Sequence, residues 1–244
     1  MSDHALENPL EPILPGPGAS DYERYLRTDE LLSLQKRPEE MAHRDELLFQ
    51  TVHQSSELWL KHACFEAETA TGLIRDGDLA GAARCLRRAV LGVRLITGQL
   101  EMLEQMSPWE YQEVRKVLGH GSGFDSPGFR SVRRVAPELG QAFFDFLRER
   151  GLTVVELYLR GRELEDLYQL AELLTDWDER LTVWRVAHFK VVERIIGGEV
   201  VGTQGTPVEL LGQLIQRRFY PELWRARTEL TQRAGTSPDV PARG

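Results

Sequence analysis

The stretch Asp45–Lys61, DELLFQTVHQSSELWLK, has neither glycine nor proline, and it decides the class of fold. Phe49, His53 and Leu60 recur at spacings of four and seven, and with Val52 and Trp59 they mark one apolar stripe of a helix. Asp45 and Glu46 stand in its first turn, where negative charge complements the helix dipole. The pattern runs on through HACFEAETATGLIRDG to about Gly77. Asp78 then suits the N-cap of a second long helix, reaching to about Met106. Its Leu79, Leu86, Val90, Val93, Leu100 and Leu103 predict packing antiparallel to the first. From Glu163 to Gly197 the helical period returns, with Leu170, Leu174, Trp177, Leu181, Trp184, His188 and Val192 on one face. The expected fold is all-α, a bundle of long antiparallel helices.

Two histidines interrupt these apolar faces. His53 lies one turn after Phe49, and His188 one turn after Trp184, so each imidazole points the same way as an aromatic ring. An inward imidazole beside a ring can serve a pocket. A core histidine bonded to a neighbour fits the spacing equally well.

The remaining segments read as connections and shorter helices. Residues 1–20 are rich in proline, glycine and acidic side chains, and are expected to be flexible or draped over a partner. A single domain is expected over residues 21–234, followed by a disordered tail at 235–244. DYERYLRTDELLSLQ reads as an amphipathic docking helix, with Tyr22 and Leu26 on one stripe and Tyr25 and Leu32 on the next. Ser107-Pro108-Trp109-Glu110 forms a capping box that starts another helix, on which Tyr111 and Arg115 point the same way. Gly119, Gly121 and Gly123 end it and let the backbone approach a neighbour. From Pro137 to about Gly161 two short helices are expected, the second read as helical because a lone strand would have no partner. Glycines 197, 198, 202 and 205 mark a loop, and Thr206-Pro207-Val208-Glu209 another helix start. The loop lacks the lysine of a nucleotide-binding P-loop.

Composition removes several function classes. A net charge of −8 over 244 residues argues against a non-specific binder of nucleic acid or anionic membrane. No apolar run reaches transmembrane length or forms a signal peptide. The two cysteines, Cys64 and Cys85, form neither CxxC nor CxxCH, so reduced thiols in a cytoplasmic protein are expected.

Several of these segments, taken together and in order, resemble the tryptophan 2,3-dioxygenase family. DELLFQTVHQSSELWLK resembles its signature helix, and WRVAHFKVVERIIG its WRxxHxxxVxRxIG pattern. DYERYLRTDE resembles the YLxLD element, with Thr28 where the family usually has an apolar residue. SGFDSPGFR resembles the loop ending in SGFQS, but departs at Asp125 and again at Gly128, Phe129 and Arg130. Gly202 and Thr203 match the family's GTGGSSG, whereas Gln204, Thr206 and Pro207 do not; FYPELWRART resembles the closing FPELWxxRT.

The resemblance implies a helical bundle enclosing a b-type haem, with His188 as proximal iron ligand and an open sixth position for O2. It implies His53 across the haem, bonded to the indole N–H of L-tryptophan or a related indole amino acid, or to bound oxygen. Arg115 and Tyr111 would take the substrate carboxylate, and Thr203 its ammonium or carboxylate. Phe49 and Leu118 would contact the indole, joined by Tyr22, Tyr25 and Leu26 from a neighbouring subunit of a homo-oligomer, a tetramer. Trp184, Ser122 and Gly123 would meet the cofactor. The implied reaction is insertion of both oxygen atoms to give an N-formylkynurenine. Two alternatives remain: a monooxygenase of an indole on the same scaffold, and a non-enzymatic haem-binding helical protein.

Overall fold

The computed structural model describes residues 11–201 and 209–235, and every regular element among them is helical. The first is α1 (Asp21–Leu26), followed by α2 (Thr28–Ser33), α3 (Asp45–Asp76) and α4 (Leu79–Gly98). A short α5 (Leu100–Leu103) and α6 (Tyr111–Val117) lead to α7 (Pro127–Glu149). Then come α8 (Val154–Leu159), α9 (Glu165–Ile196), α10 (Glu209–Ile215) and α11 (Pro221–Gly235). None of these helices is long and apolar enough to cross a membrane.

The frame is made by α3, α4, α7 and α9. α3 and α9 have 32 residues each, a length of roughly 48 Å at the helical rise. Gly77, at φ 84°, ends α3 by donating its N–H to the Ile74 carbonyl, and the Asp78 side chain accepts from Gly81 N to begin α4. That tight connection folds α4 back along α3. They cross closely at Gly92, where an added Cβ would lie 3.4 Å from Ala63 Cβ. α7 packs on the other side of α3, and α9 on α4.

Of the stripe read on α3, Val52 and Leu60 are buried and Phe49 is half-buried, whereas His53 and Trp59 are exposed; the core is completed by other residues of the long helices. Leu60, Ala63, Ala67 and Ile74 of α3 join Leu86 and Val93 of α4, Leu139 and Phe143 of α7, and Leu170, Leu174 and Trp177 of α9. Each large side chain so buried contributes about 1.5–3 kcal/mol. A second, smaller cluster joins Val52 of α3 to Val191 and Ile195 of α9, with Leu100, Leu103, Met106 and Val114. The start of α3 therefore meets the end of α9, and the two longest helices run in opposite directions.

The C-terminal segment is tied to α9 by one buried carboxylate. Asp178 accepts from Phe219 N at 3.0 Å, Tyr220 N at 3.2 Å and Trp224 Nε1 at 2.9 Å. Three donors compensate the burial of its charge. Tyr220 lies against Gly140 of α7, where a Cβ would come within 2.7 Å of its ring, and its hydroxyl donates to the Ala136 carbonyl at 3.0 Å.

Five readings of the sequence need correction. The docking helix is two helices, because Arg27 adopts a left-handed φ of 54° between them. The second long helix stops at Gly98, and α5 is separate. The helix expected from Pro137 begins at Pro127, with Ser126 as N-cap, and Pro137 lies exposed within it. α6 starts at Tyr111, since Pro108 to Glu110 form only a turn. Trp59 is 41% exposed, so it lies off the buried stripe. α8 is helical as expected, opened by a capping box of Thr153 and Glu156.

Candidate active site

Beside the smaller apolar cluster, the start of α3 and the end of α9 meet without filling the space between them. They leave a cavity of about 270 Å³, completed by α6, the segment 121–124 and the first turns of α7. His53 and His188 both line it, each seated on an aromatic ring. Phe49 and His53 have ring centroids 4.0 Å apart. Trp184 lies 4.8 Å from His188 and nearly parallel to it, at 13°, and Phe129 backs Trp184 at 4.1 Å.

The two imidazoles differ in what holds them. His53 Nδ1 is 2.7 Å from the Phe49 carbonyl oxygen. A carbonyl can only accept, so Nδ1 carries the proton and Nε2 is left as an acceptor. His188 makes no hydrogen bond among the described residues and is held by stacking.

Both rings are neutral at ordinary pH. His53 is open to the cavity but otherwise surrounded by protein. That desolvation pushes its pKa below the ordinary value, against smaller opposing effects of the Phe49 carbonyl and Glu57. Burial lowers His188 to about 4, and the charge of His53 adds to the effect.

The third wall is α6. Tyr111 stands 6.1 Å from the Phe49 ring, its phenol pushed up by burial against the opposing charge of Arg115. Arg115, one turn on, donates from Nη2 to the Val201 carbonyl at 2.9 Å. Its other N–H groups make no bond among the described residues. Leu118 closes the end of this wall. Ser122 and Gly123 line the cavity too, and the Ser122 hydroxyl accepts from Phe124 N at 3.3 Å. Glu57 pins this segment to α3: its carboxylate accepts from the Ser126 hydroxyl, and from Gly128 N at 2.7 Å.

One cavity therefore gathers Phe49, His53, Tyr111, Arg115, Leu118, Ser122, Gly123, Trp184 and His188. Tyr22, Tyr25 and Leu26 are not brought to it and stand exposed. Thr203 and the capping box at 206–209 lie outside the described residues. Sequence reasoning missed Arg133, Arg185 and Arg217, and gave Phe129 no place in the cavity wall. Arg185 was legible as the residue one turn before His188. Phe129 and Arg133 share a face of α7, but only once that helix is started at Pro127.

The donor set limits what could bind. Among the described residues no three of His, Cys, Asp and Glu converge on a metal. In this cavity His188 is a neutral imidazole without a hydrogen-bond partner among the described residues, within walls that are mostly apolar. That set suits a metal that arrives inside a large apolar prosthetic group and takes a single axial nitrogen.

Residues 15–142 match the family model described as tryptophan 2,3-dioxygenase. A tryptophan 2,3-dioxygenase of Caulobacter vibrioides is 36% identical, over 86% of this chain and 98% of its own. One from Bacillus thuringiensis subsp. konkukian is 32% identical, over 86% of this chain and 92% of its own. One from Myxococcus xanthus is 32% identical, over 88% and 91%. The relatives are matched almost from end to end, His53 and His188 face one cavity, and the chain belongs to the tryptophan 2,3-dioxygenase family.

Proposed function

We propose that this chain is a haem-dependent dioxygenase that inserts both atoms of O2 into the indole ring of L-tryptophan or a substituted tryptophan, giving an N-formylkynurenine. The observation that carries this reading is the opposed pair of neutral imidazoles, one with a free ligating nitrogen and one with a fixed acceptor. The names of the relatives support the substrate.

His188 is the residue assigned to hold the haem b iron, and the bound haem would supply the site at which O2 is activated. The remaining work falls to side chains of the chain itself. Stacking on Trp184 keeps the His188 ring in one orientation. His53 Nε2 accepts from the indole N–H and so fixes which edge of the ring faces the oxygen. Phe49 and Leu118 enclose the indole and exclude water. Arg115 has donors left for a carboxylate beyond the one on Val201, and the Tyr111 phenol stays protonated as a further donor. Thr203 keeps its expected role at the ammonium or carboxylate. Both oxygen atoms end in the product, so no external reductant is consumed.

A homotetramer with Tyr22, Tyr25 and Leu26 at a neighbour's site accounts for the exposure of these side chains. A cytoplasmic location agrees with the two unpaired, buried thiols, Cys64 and Cys85.

The test is the mass of the product formed from L-tryptophan and labelled O2 by the haem-loaded protein. Gain of two labelled oxygen atoms is expected. Gain of one would replace this reading with a monooxygenase, and a stable haem spectrum with no turnover would leave only a binding protein.

A further inference from the structure

One wall of the cavity carries an excess of cations that the proposed chemistry does not use. Arg133 comes from α7, Arg185 from α9 and Arg217 from the segment between α10 and α11, and all three line the cavity. Arg185 Nη1 donates to the Arg217 carbonyl at 2.7 Å, and its guanidinium lies 5.5 Å from the centroid of the Phe219 ring. None of the three forms a salt bridge among the described residues. The anion that acts on Arg185 is Asp178, whose carboxylate is already committed to three N–H donors. Burial and the charges of Arg217 and Arg133 lower the pKa of Arg185, so these guanidinium groups repel one another as they stand. Beside Arg185, the buried Trp184 Nε1 has no hydrogen-bond partner among the described residues. All four of these groups are donors, and among the described residues no carboxylate pairs with the three guanidinium groups.

We infer that Arg133, Arg185 and Arg217 form a carboxylate-binding subsite, and that its ligand is the carboxylate edge of the tetrapyrrole held at His188. This rests on the haem reading of the cavity. The geometry agrees with it. Arg185 precedes His188 by three residues, so both lie on one face of α9 about one turn apart. A tetrapyrrole ligated there brings two carboxylates on short flexible arms. Arg133 and Arg217 are exposed and Arg185 is half-buried, so the cluster stands where the cavity meets solvent. The amino-acid carboxylate has its own cation, Arg115, on the α6 wall.

The test is the rate at which the haem-loaded, full-length protein releases its cofactor to an excess of apomyoglobin. Haem and its dimethyl ester, which lacks both charges, are compared in the wild type and in Arg133→Gln and Arg217→Gln. Both arginines are exposed, so folding should survive; circular dichroism checks it, and the two Lys variants serve as charge-conserving controls. Each Gln variant is expected to release haem about fivefold faster, the scale of one exposed ion pair. It should release the dimethyl ester no faster than the wild type does, and the Lys variants should restore most of the loss. Unchanged haem release in both Gln variants, with the haem spectrum intact, overturns the subsite and leaves the haem reading standing. Weakened L-tryptophan binding with unchanged haem release also overturns it, by assigning the cluster to the amino acid. A protein that takes up no haem removes both.

Discussion

A histidine one turn after a phenylalanine can be a core residue or a site residue, and the choice here turns on a single hydrogen bond. The Phe49 carbonyl occupies His53 Nδ1, so Nε2 must present a lone pair to the cavity. If that lone pair receives the indole N–H, replacing His53 with Ala leaves a buried donor unmatched, at a cost of about 1–3 kcal/mol. Affinity for L-tryptophan should fall accordingly, whereas 1-methyltryptophan, which has no such N–H, should bind both proteins alike. Titrations of the two ligands against the two proteins check this, and an equal loss for both would make His53 a packing residue. The pH dependence has a definite sign. Protonation turns Nε2 into a donor, so affinity is lost as pH falls through the pKa of the folded protein. Burial sets that pKa below the ordinary 6.5, so the loss of tryptophan affinity should fall at lower pH than an ordinary histidine would give.

Among the elements, α7 shows most clearly how local signals and packing part company. Its true start, Ser126-Pro127, carries an N-cap and a proline in the first turn, yet lies within a glycine-rich run that reads as loop. Pro137 looked like a start because an interior proline removes a backbone hydrogen bond and costs about 3 kcal/mol. The helix runs through it because Leu139, Phe143, Phe146 and Leu147 beyond it, and Val132 and Val135 before it, are all buried on the same bundle. At the start of α7, Gly128 sits so close to α3 that a Cβ would lie 2.7 Å from Leu60 Cβ and 2.7 Å from Glu57 Oε2. In a free helix Gly→Ala stabilises by about 0.8–1 kcal/mol. Here Gly128→Ala should instead destabilise by about 1–3 kcal/mol, the cost of overpacking a contact whose neighbour is close to the backbone. Urea unfolding of the two proteins decides the sign. A stabilised variant would mean that α7 can slide on α3 without loss.

For the whole molecule, what was legible depended on how far apart in the chain the interacting groups lie. Phe49 with His53, Tyr111 with Arg115 and Trp184 with His188 are each separated by one helical turn, so periodicity found them. The arginine wall depends on Asp178 drawing residues 219, 220 and 224 onto α9 across more than forty positions, and no local pattern encodes that. The break at Arg27 was equally hidden, since arginine seldom takes a left-handed φ. The same break shapes the arm formed by α1 and α2, which buries none of its residues. Tyr22 and Tyr25 are 69% and 78% exposed, and Leu32 is 73% exposed. The arm joins the bundle at its far end, where Gln35 Nε2 donates to Gln54 Oε1 at 2.6 Å and Lys36 N donates to Gln50 Oε1 at 2.9 Å. An amphipathic arm joined to the bundle at one end, with its tyrosines and leucines exposed, has the form of a segment that packs on another copy of the chain. If that copy's cavity is where Tyr22, Tyr25 and Leu26 go, assembly and substrate binding must fail together. Deleting residues 1–32 should lower the mass measured by sedimentation and also weaken L-tryptophan binding, while the haem band stays, because His188 and its wall belong to one chain. A truncated protein that binds tryptophan as tightly as the full chain, or a full chain that is monomeric and fully active at assay concentration, would refute the shared site.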